Sequence, residues 1–161
     1  MSTIDMPEPD VALGAPARVL IVRAPYYRAI VDGMTAGAQR LIARAGGESA
    51  IEDVAGAFEL PQAIRIVLRG MAAGGPRWDG FVALGCVVRG ETDHYDHISR
   101  EAHRGLMDVA LQYGIALGTG VLTVHTEAQA IARASADRFN KGAEAAAACL
   151  TQIALMRKVG A

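Results

Sequence analysis

Residues 81–88 read FVALGCVV, eight positions with no charge and no hydrogen-bonding side chain except one thiol. A run without polar alternation has to be covered on both faces, which is the situation of a strand inside a parallel sheet. Parallel neighbours cannot be joined by hairpins; they need crossovers, and helices supply them. The remaining chain follows that demand. The apolar run at 19–22, the mostly apolar 115–123 and the mixed AIEDV at 50–54 read as three more strands. Between them lie stretches of helical periodicity: a helix after Pro25 with Ile30, Met34, Ala38 and Leu41 on one face, then 60–71, 93–113, 127–136 and 141–158. Gly46-Gly47, Gly74-Gly75-Pro76 and Gly114 separate the elements, and Pro61 suits a helix's first turn. The predicted order β-α-β-α-β-α-β-α-α gives an α/β fold, a four-stranded parallel sheet with helices on both faces and right-handed crossovers.

A chain of 161 residues is expected to form one domain with a real core, here 17–161. Residues 1–16, with Pro7, Pro9, Pro16 and several acids, read as a flexible tail. Sixteen basic against 17 acidic residues leave no electrostatic footprint for nucleic acid. The longest apolar runs, 19–22 and 145–150, fall far short of the ~18 residues of a membrane span, and no leader-like pattern opens the chain. The cytoplasm is the expected compartment. Cys86 and Cys149 form neither a CxxC nor a disulfide framework and are expected to be buried thiols. Hydrophobic residues make up 52% of the chain and aromatics 5%, so its apolar surface is largely Ala, Val, Leu and Ile. A domain of that kind is expected to bury surface against copies of itself as a symmetric homo-oligomer.

Chemistry should gather where the strands end, because open α/β sheets bind ligands outside their carboxyl edges. After the strand at 81–88 come Arg89-Gly90-Glu91-Thr92-Asp93-His94. Glu91, Thr92 and Asp93 are suited to cap the following helix, and His94 offers an imidazole that titrates near neutrality. His94 reads either as a proton carrier or as a solvated histidine at a helix start. His97 and His103 on the same helix leave a metal-binding reading open, although Glu101 shares their face poorly. A helix start favours an anion, but Glu91, Asp93 and Asp96 oppose one, and Arg89 is expected to point back along the strand. A phosphate would need a cation from elsewhere, for which Arg133 is the candidate; the alternative is an ordinary surface arginine. Two further strand ends carry Tyr26-Tyr27 and Gly56-Ala57-Phe58-Glu59. Together the three turns imply a pocket for a flat polar molecule. No GxGxxG or P-loop spacing is present.

On these residues the chain resembles the lumazine synthase family of riboflavin biosynthesis. The matching stretches are GAFELP at 56–61, ALGCVVRGETDHYDHI at 83–98, GVLT at 120–123, QAIARA at 129–134 and NKGAEAA at 140–146, and the likeness runs from about Arg18 to the end. It implies a three-layer flavodoxin-like fold, homo-oligomers with active sites at subunit interfaces, and no cofactor or metal. The implied substrates are 5-amino-6-ribitylaminouracil and 3,4-dihydroxy-2-butanone 4-phosphate, condensed to 6,7-dimethyl-8-ribityllumazine with release of phosphate and water. His94 matches the catalytic histidine. Tyr26 matches a ring stacked on the pyrimidine; Ala57, Phe58 and Glu59 match the ribityl segment; Cys86, Val87 and Val88 match the strand end beside the uracil. Glu91 and Thr92 match the phosphate-side turn, and Arg133 matches a phosphate-binding arginine supplied by the adjacent subunit. Thr119 stands where an aromatic is common, which leaves its backbone but no ring, and Ala55 stands where proline is usual. Residues 134–139 lack the glycine- and lysine-rich linker of capsid-forming members, so the expectation is a pentamer, alone or stacked as a decamer. Two other classes stay open: a non-catalytic lumazine- or flavin-binding scaffold of the same fold, and an unrelated metal hydrolase using His94, His97 and His103.

Overall fold

The computed structural model describes residues 10–135 and 140–161. Its elements alternate as the sequence predicts: β1 (Arg18–Arg23), α1 (Arg28–Arg44), β2 (Glu48–Asp53), α2 (Glu59–Ala72), β3 (Gly80–Val88), α3 (His94–Tyr113), β4 (Ala116–Val124), α4 (Glu127–Ala134) and α5 (Lys141–Val159). The four strands pair in parallel in the order β2-β1-β3-β4. This is the flavodoxin-like α/β arrangement, with the most apolar strands, β1 and β3, at its centre.

The side-chain period of two divides the strands between two cores. Val19 and Ile21 join Val82, Leu84 and Cys86 in one core, closed by Ile30, Met34 and Leu41 of α1 and Leu150 and Ile153 of α5. Leu20 and Val22 join Phe81, Ala83 and Val87 in the other, closed by Leu60 and Ile64 of α2 and Ala102 and Leu106 of α3. On the first side the helix lies directly on the sheet. A Cβ at Gly118 would enter the carbonyl of Ala145, so only glycine lets α5 approach β4 this closely.

Two local differences from the sequence reading have physical causes. β2 begins at Glu48, two residues before its apolar run, because pairing of Arg18 with Glu48 and Val19 with Ser49 extends an exposed edge strand beyond its hydrophobic signal. No side chain caps α3: Asp93 occupies the cap position in a helical conformation, and backbone bonds from Asp96 and His97 to the Asp93 carbonyl close the first turn. Of the expected α4, residue 136 lies outside the described residues, as do Arg138 and most of the 134–139 linker.

Residues 1–9 of the expected tail also lie outside them. In the remainder, Leu13 is buried, and the Arg157 guanidinium donates to the carbonyls of Leu13 (3.0 Å), Ala15 (2.6 Å) and Pro16 (2.8 Å). Among the described residues no helix is long and apolar enough to cross a membrane.

The strand order fixes where a ligand can sit. From β1 the chain moves outward to β2, then crosses back over β1 to β3 and continues outward to β4. The connections leaving β1 and β3 therefore diverge, and a crevice opens between their carboxyl ends.

Candidate active site

A cavity of about 240 Å³ occupies that crevice. Ala24, Tyr26 and Tyr27 line it from the β1–α1 turn, Gly56 and Ala57 from the β2–α2 turn, Cys86, Val87 and Val88 from the end of β3, and His94 and Ile98 from α3. The floor is apolar, and the polar groups stand at the rim.

The two tyrosines divide the work of the first turn. Tyr26 is 79% exposed and presents its ring at the mouth, 5.3 Å edge-on from Tyr27. Tyr27 packs against the α1/α5 core; burial, and then the neighbouring Cys86, push its phenol pKa above the ordinary value. Tyr27 thereby supports the ring that is free to stack on a ligand.

Phe58 packs edge-on beside His94, which lines the cavity, with ring centroids 6.3 Å apart. Phe58 heads α2 and is partly exposed, its carbonyl accepting a bond from Gln62 Nε2 at 3.1 Å. Glu59 is the acid in the first turn of α2, where the helix dipole favours a negative charge. His94 is the first residue of α3 and is solvent-exposed, so both protons and substrate can reach its ring.

Cys86 belongs to the floor. Desolvation, with a smaller contribution from Glu127, raises its pKa to about 11. At neutral pH it is a thiol, and a thiol is a poor nucleophile.

The turn between β3 and α3 holds Glu91 and Thr92, both exposed and neither capping the helix. Arg89, expected to point back along the strand, instead turns onto α3. Its guanidinium pairs with Asp96 at 3.2 Å and lies 5.1 Å over the Tyr95 ring, because that ring and carboxylate offer partners that the apolar strand lacks. The basic residue of this turn is thus already engaged.

Of the expected residues, Phe58, Glu59, Glu91, Thr92, Thr119 and Arg133 are not among those lining this cavity; Phe58 stands next to the lining residue His94. Thr119 is exposed in β4 in register with Ala83, three positions before the level of Cys86, about 10 Å down the strand. Arg133 lies on α4, with its Nη1 donating to the Gln129 carbonyl at 2.9 Å. Tyr27 and Gly56, which the sequence places in the turns of the expected pocket, do line it, and Ala24 and Ile98 line it without having been candidates. Ile98 was within reach of the sequence, being one helical turn beyond His94 on the same face.

The three histidines of α3 do not converge. His103 Nδ1 donates to the Ser99 carbonyl at 2.7 Å, and among the described residues no three His, Cys, Asp or Glu side chains are grouped to hold a metal ion.

A parallel sheet of order 2-1-3-4, with a stacking ring, an apolar floor and a histidine at its central switch point, defines a small-molecule α/β protein of the flavodoxin-like class. Residues 16–157 match the family of 6,7-dimethyl-8-ribityllumazine synthase. The 6,7-dimethyl-8-ribityllumazine synthase of Paramagnetospirillum magneticum is 48% identical over 146 residues, covering 89% of this chain and 97% of the relative. That of Methylorubrum populi is 47% identical over 154 residues, covering 95% and 90%. The 6,7-dimethyl-8-ribityllumazine synthase 1 of Rhizobium meliloti is 46% identical over 146 residues, covering 91% and 95%. The chain belongs to the 6,7-dimethyl-8-ribityllumazine synthase family, transferases of riboflavin biosynthesis.

Proposed function

We propose that the crevice between β1 and β3 is the site at which this enzyme condenses 5-amino-6-ribitylaminouracil with 3,4-dihydroxy-2-butanone 4-phosphate. The observation that carries the placement is the meeting of Tyr26, Ala57 and His94 around one apolar-floored cavity, with Phe58 packed edge-on beside His94. In this reading the pyrimidine stacks on Tyr26 beside Cys86, Val87 and Val88. The ribityl chain runs along Ala57, Phe58 and Glu59.

The 5-amino group attacks the ketone carbonyl and forms an imine with loss of water. Phosphate then leaves, and the ribityl-bearing nitrogen closes the second ring with loss of another water. Each step moves a proton, and His94, at the rim beside Phe58, is the group placed to carry it. The chain has little covalent work of its own here; holding two reactants in register supplies much of the acceleration.

The phosphate is assigned to the Glu91–Thr92 turn and to Arg133 of an adjacent subunit; Thr119 contributes its backbone to substrate binding, without a stacking ring. Arg89 is already paired with Asp96, so the cation has to come from elsewhere, and Arg133 is outside this chain's own cavity. The active unit is accordingly a homo-oligomer, a pentamer by the resemblance, with one site at each subunit interface. Residues 17–161 act as its single domain, and the cytoplasm is the compartment proposed on the sequence reading.

The test mixes both substrates with the purified protein and follows the absorbance of the lumazine. Product should form with the assembled protein and not with dilute monomer. Full activity from a species that light scattering identifies as a monomer would overturn the shared site.

A further inference from the structure

Arg23 takes no part in the chemistry described so far, yet it is the most heavily bonded side chain near the site. It is the last residue of β1, and the strand period puts it in the row of Val19 and Ile21, facing α1. Its side chain is only 13% exposed. Nε donates to Asp53 Oδ1 at 2.6 Å and Nη2 to Asp53 Oδ2 at 3.5 Å. Nη1 donates to Asp32 Oδ1 at 2.7 Å and to Thr35 Oγ1 at 3.3 Å. One planar guanidinium thus ties together the ends of β1 and β2 and the second turn of α1, a geometry that a lysine point charge does not reproduce.

What hangs on those ends is the cavity. Ala24, Tyr26 and Tyr27 follow Arg23 by one, three and four residues; Gly56 and Ala57 follow Asp53 by three and four. β2 is an edge strand with one neighbour, and beyond its last pair the backbone tie to β1 is a single bond, from Val54 N to the Arg23 carbonyl at 2.8 Å. The fork to Asp53 is what keeps the second turn from swinging away from the first. Asp53, ahead of Asp32, is also the main reason that the guanidinium holds its proton more tightly than usual.

We propose that Arg23 is the positioning residue that sets the spacing between the Tyr26 and Gly56–Ala57 walls, and with it the affinity for the pyrimidine. The proposal rests on the placement of the pyrimidine given above. Arg23 does not line the cavity, so its effect should reach binding of one substrate and spare the chemical step.

The test is steady-state kinetics of Arg23→Gln, Arg23→Lys and, as companion, Tyr26→Ala, with thermal melts of each. Arg23→Gln should raise the KM for 5-amino-6-ribitylaminouracil by about tenfold, as expected when binding groups lose their register. The KM for the butanone phosphate and kcat should stay near wild type, and Arg23→Lys should fall between. A lowered Tm with both KM values unchanged would make Arg23 a merely structural residue and overturn the proposal. If the pyrimidine KM rises in Tyr26→Ala but not in Arg23→Gln, the proposal falls and the site placement stands; if it moves in neither, both fall. Should Arg23→Gln fail to fold, Asp53→Asn, whose carboxylate is 45% exposed, carries the same comparison with the same expected rise.

Discussion

The two faces of the sheet are finished to different degrees. α1 buries eight of its residues and α5 nine, whereas α2 and α3 bury two each. The first layer achieves this with small residues. Side chains on Gly33, Gly37 and Gly142 would run into Ala134, Asn140 and the Met34 carbonyl, so α1, α4 and α5 meet almost backbone to backbone. Asn140, fully buried in that seam, donates to the carbonyls of Gly33 (2.9 Å) and Ser135 (2.8 Å) and accepts from the amides of Gly142 (2.9 Å) and Ala143 (3.0 Å). The second layer is thin, and its outer surface carries Ile66, Met107 and Leu111, all more than half exposed. The α1/α5 layer is the more deeply buried within the chain, although Ile131, Leu155 and Val159 are exposed on its side; the other layer buries little and leaves apolar side chains outside, the surface on which the proposed oligomer contact can be tested.

The sharpest way to break this contrast is to put one side chain into each layer. Gly142→Val drives carbon into the Met34 carbonyl, and a seam without slack has nowhere to move. The loss should exceed about 4 kcal/mol, seen as absence of a cooperative urea transition. Leu111→Lys, on the open face, should keep native circular dichroism while lowering the particle mass in light scattering. If Leu111→Lys unfolds the chain instead, α2 and α3 depend on their own outer surface and the contrast fails.

The same division separates two functional variants. His94 begins α3 on the open side, and Arg133 sits on α4 beside the seam. His94→Ala should lower kcat by about 100-fold or more while changing pyrimidine affinity little, because a proton carrier acts chiefly in the transition state. Arg133→Ala should raise the KM for the butanone phosphate by about tenfold, the size of a charged contact, with the pyrimidine KM unchanged. A shift confined to the pyrimidine KM would place the phosphate elsewhere.

These contrasts show what a sequence discloses. The strands β1, β3 and β4 were legible because burial writes largely apolar runs, and the helices because packing writes a 3.6-residue period; the exposed edge strand β2, ESAIED, gave the weakest signal and its start was misplaced. The cavity was legible in part: Tyr26, Ala57 and His94 follow strand ends, Cys86 lies near the end of β3, and strand ends share one edge. Arg89 was misread because its partners, Asp96 and Tyr95, lie on the next helix, and nothing in the strand records them. The linkage of Arg23 to Asp53 was invisible for the same reason. It spans thirty residues and exists only because β1 and β2 are neighbours, a fact of topology.

The smallest expected effect concerns Cys86, the part of the cavity floor that belongs to the well-packed side. In the folded chain burial holds the Cys86 thiol at about 11, against an ordinary value of 9.0. The neutral form is the one the fold favours, so this stabilisation is fully present below pH 9. Above pH 9 the unfolded chain gives up the proton first, and stability falls until the folded thiol also ionises near 11. At pH 10 the loss from this residue should be on the order of 1 kcal/mol. Cys149, buried in the same core with its thiol pushed up to about 12, acts in the same direction. Urea unfolding at pH 7.5 and pH 10 should therefore show a smaller drop for Cys86→Ala than for the wild-type chain, even though the variant starts lower. An equal drop in both would mean that water reaches the Cys86 sulfur, and that the floor of the crevice is less dry than its apolar lining makes it.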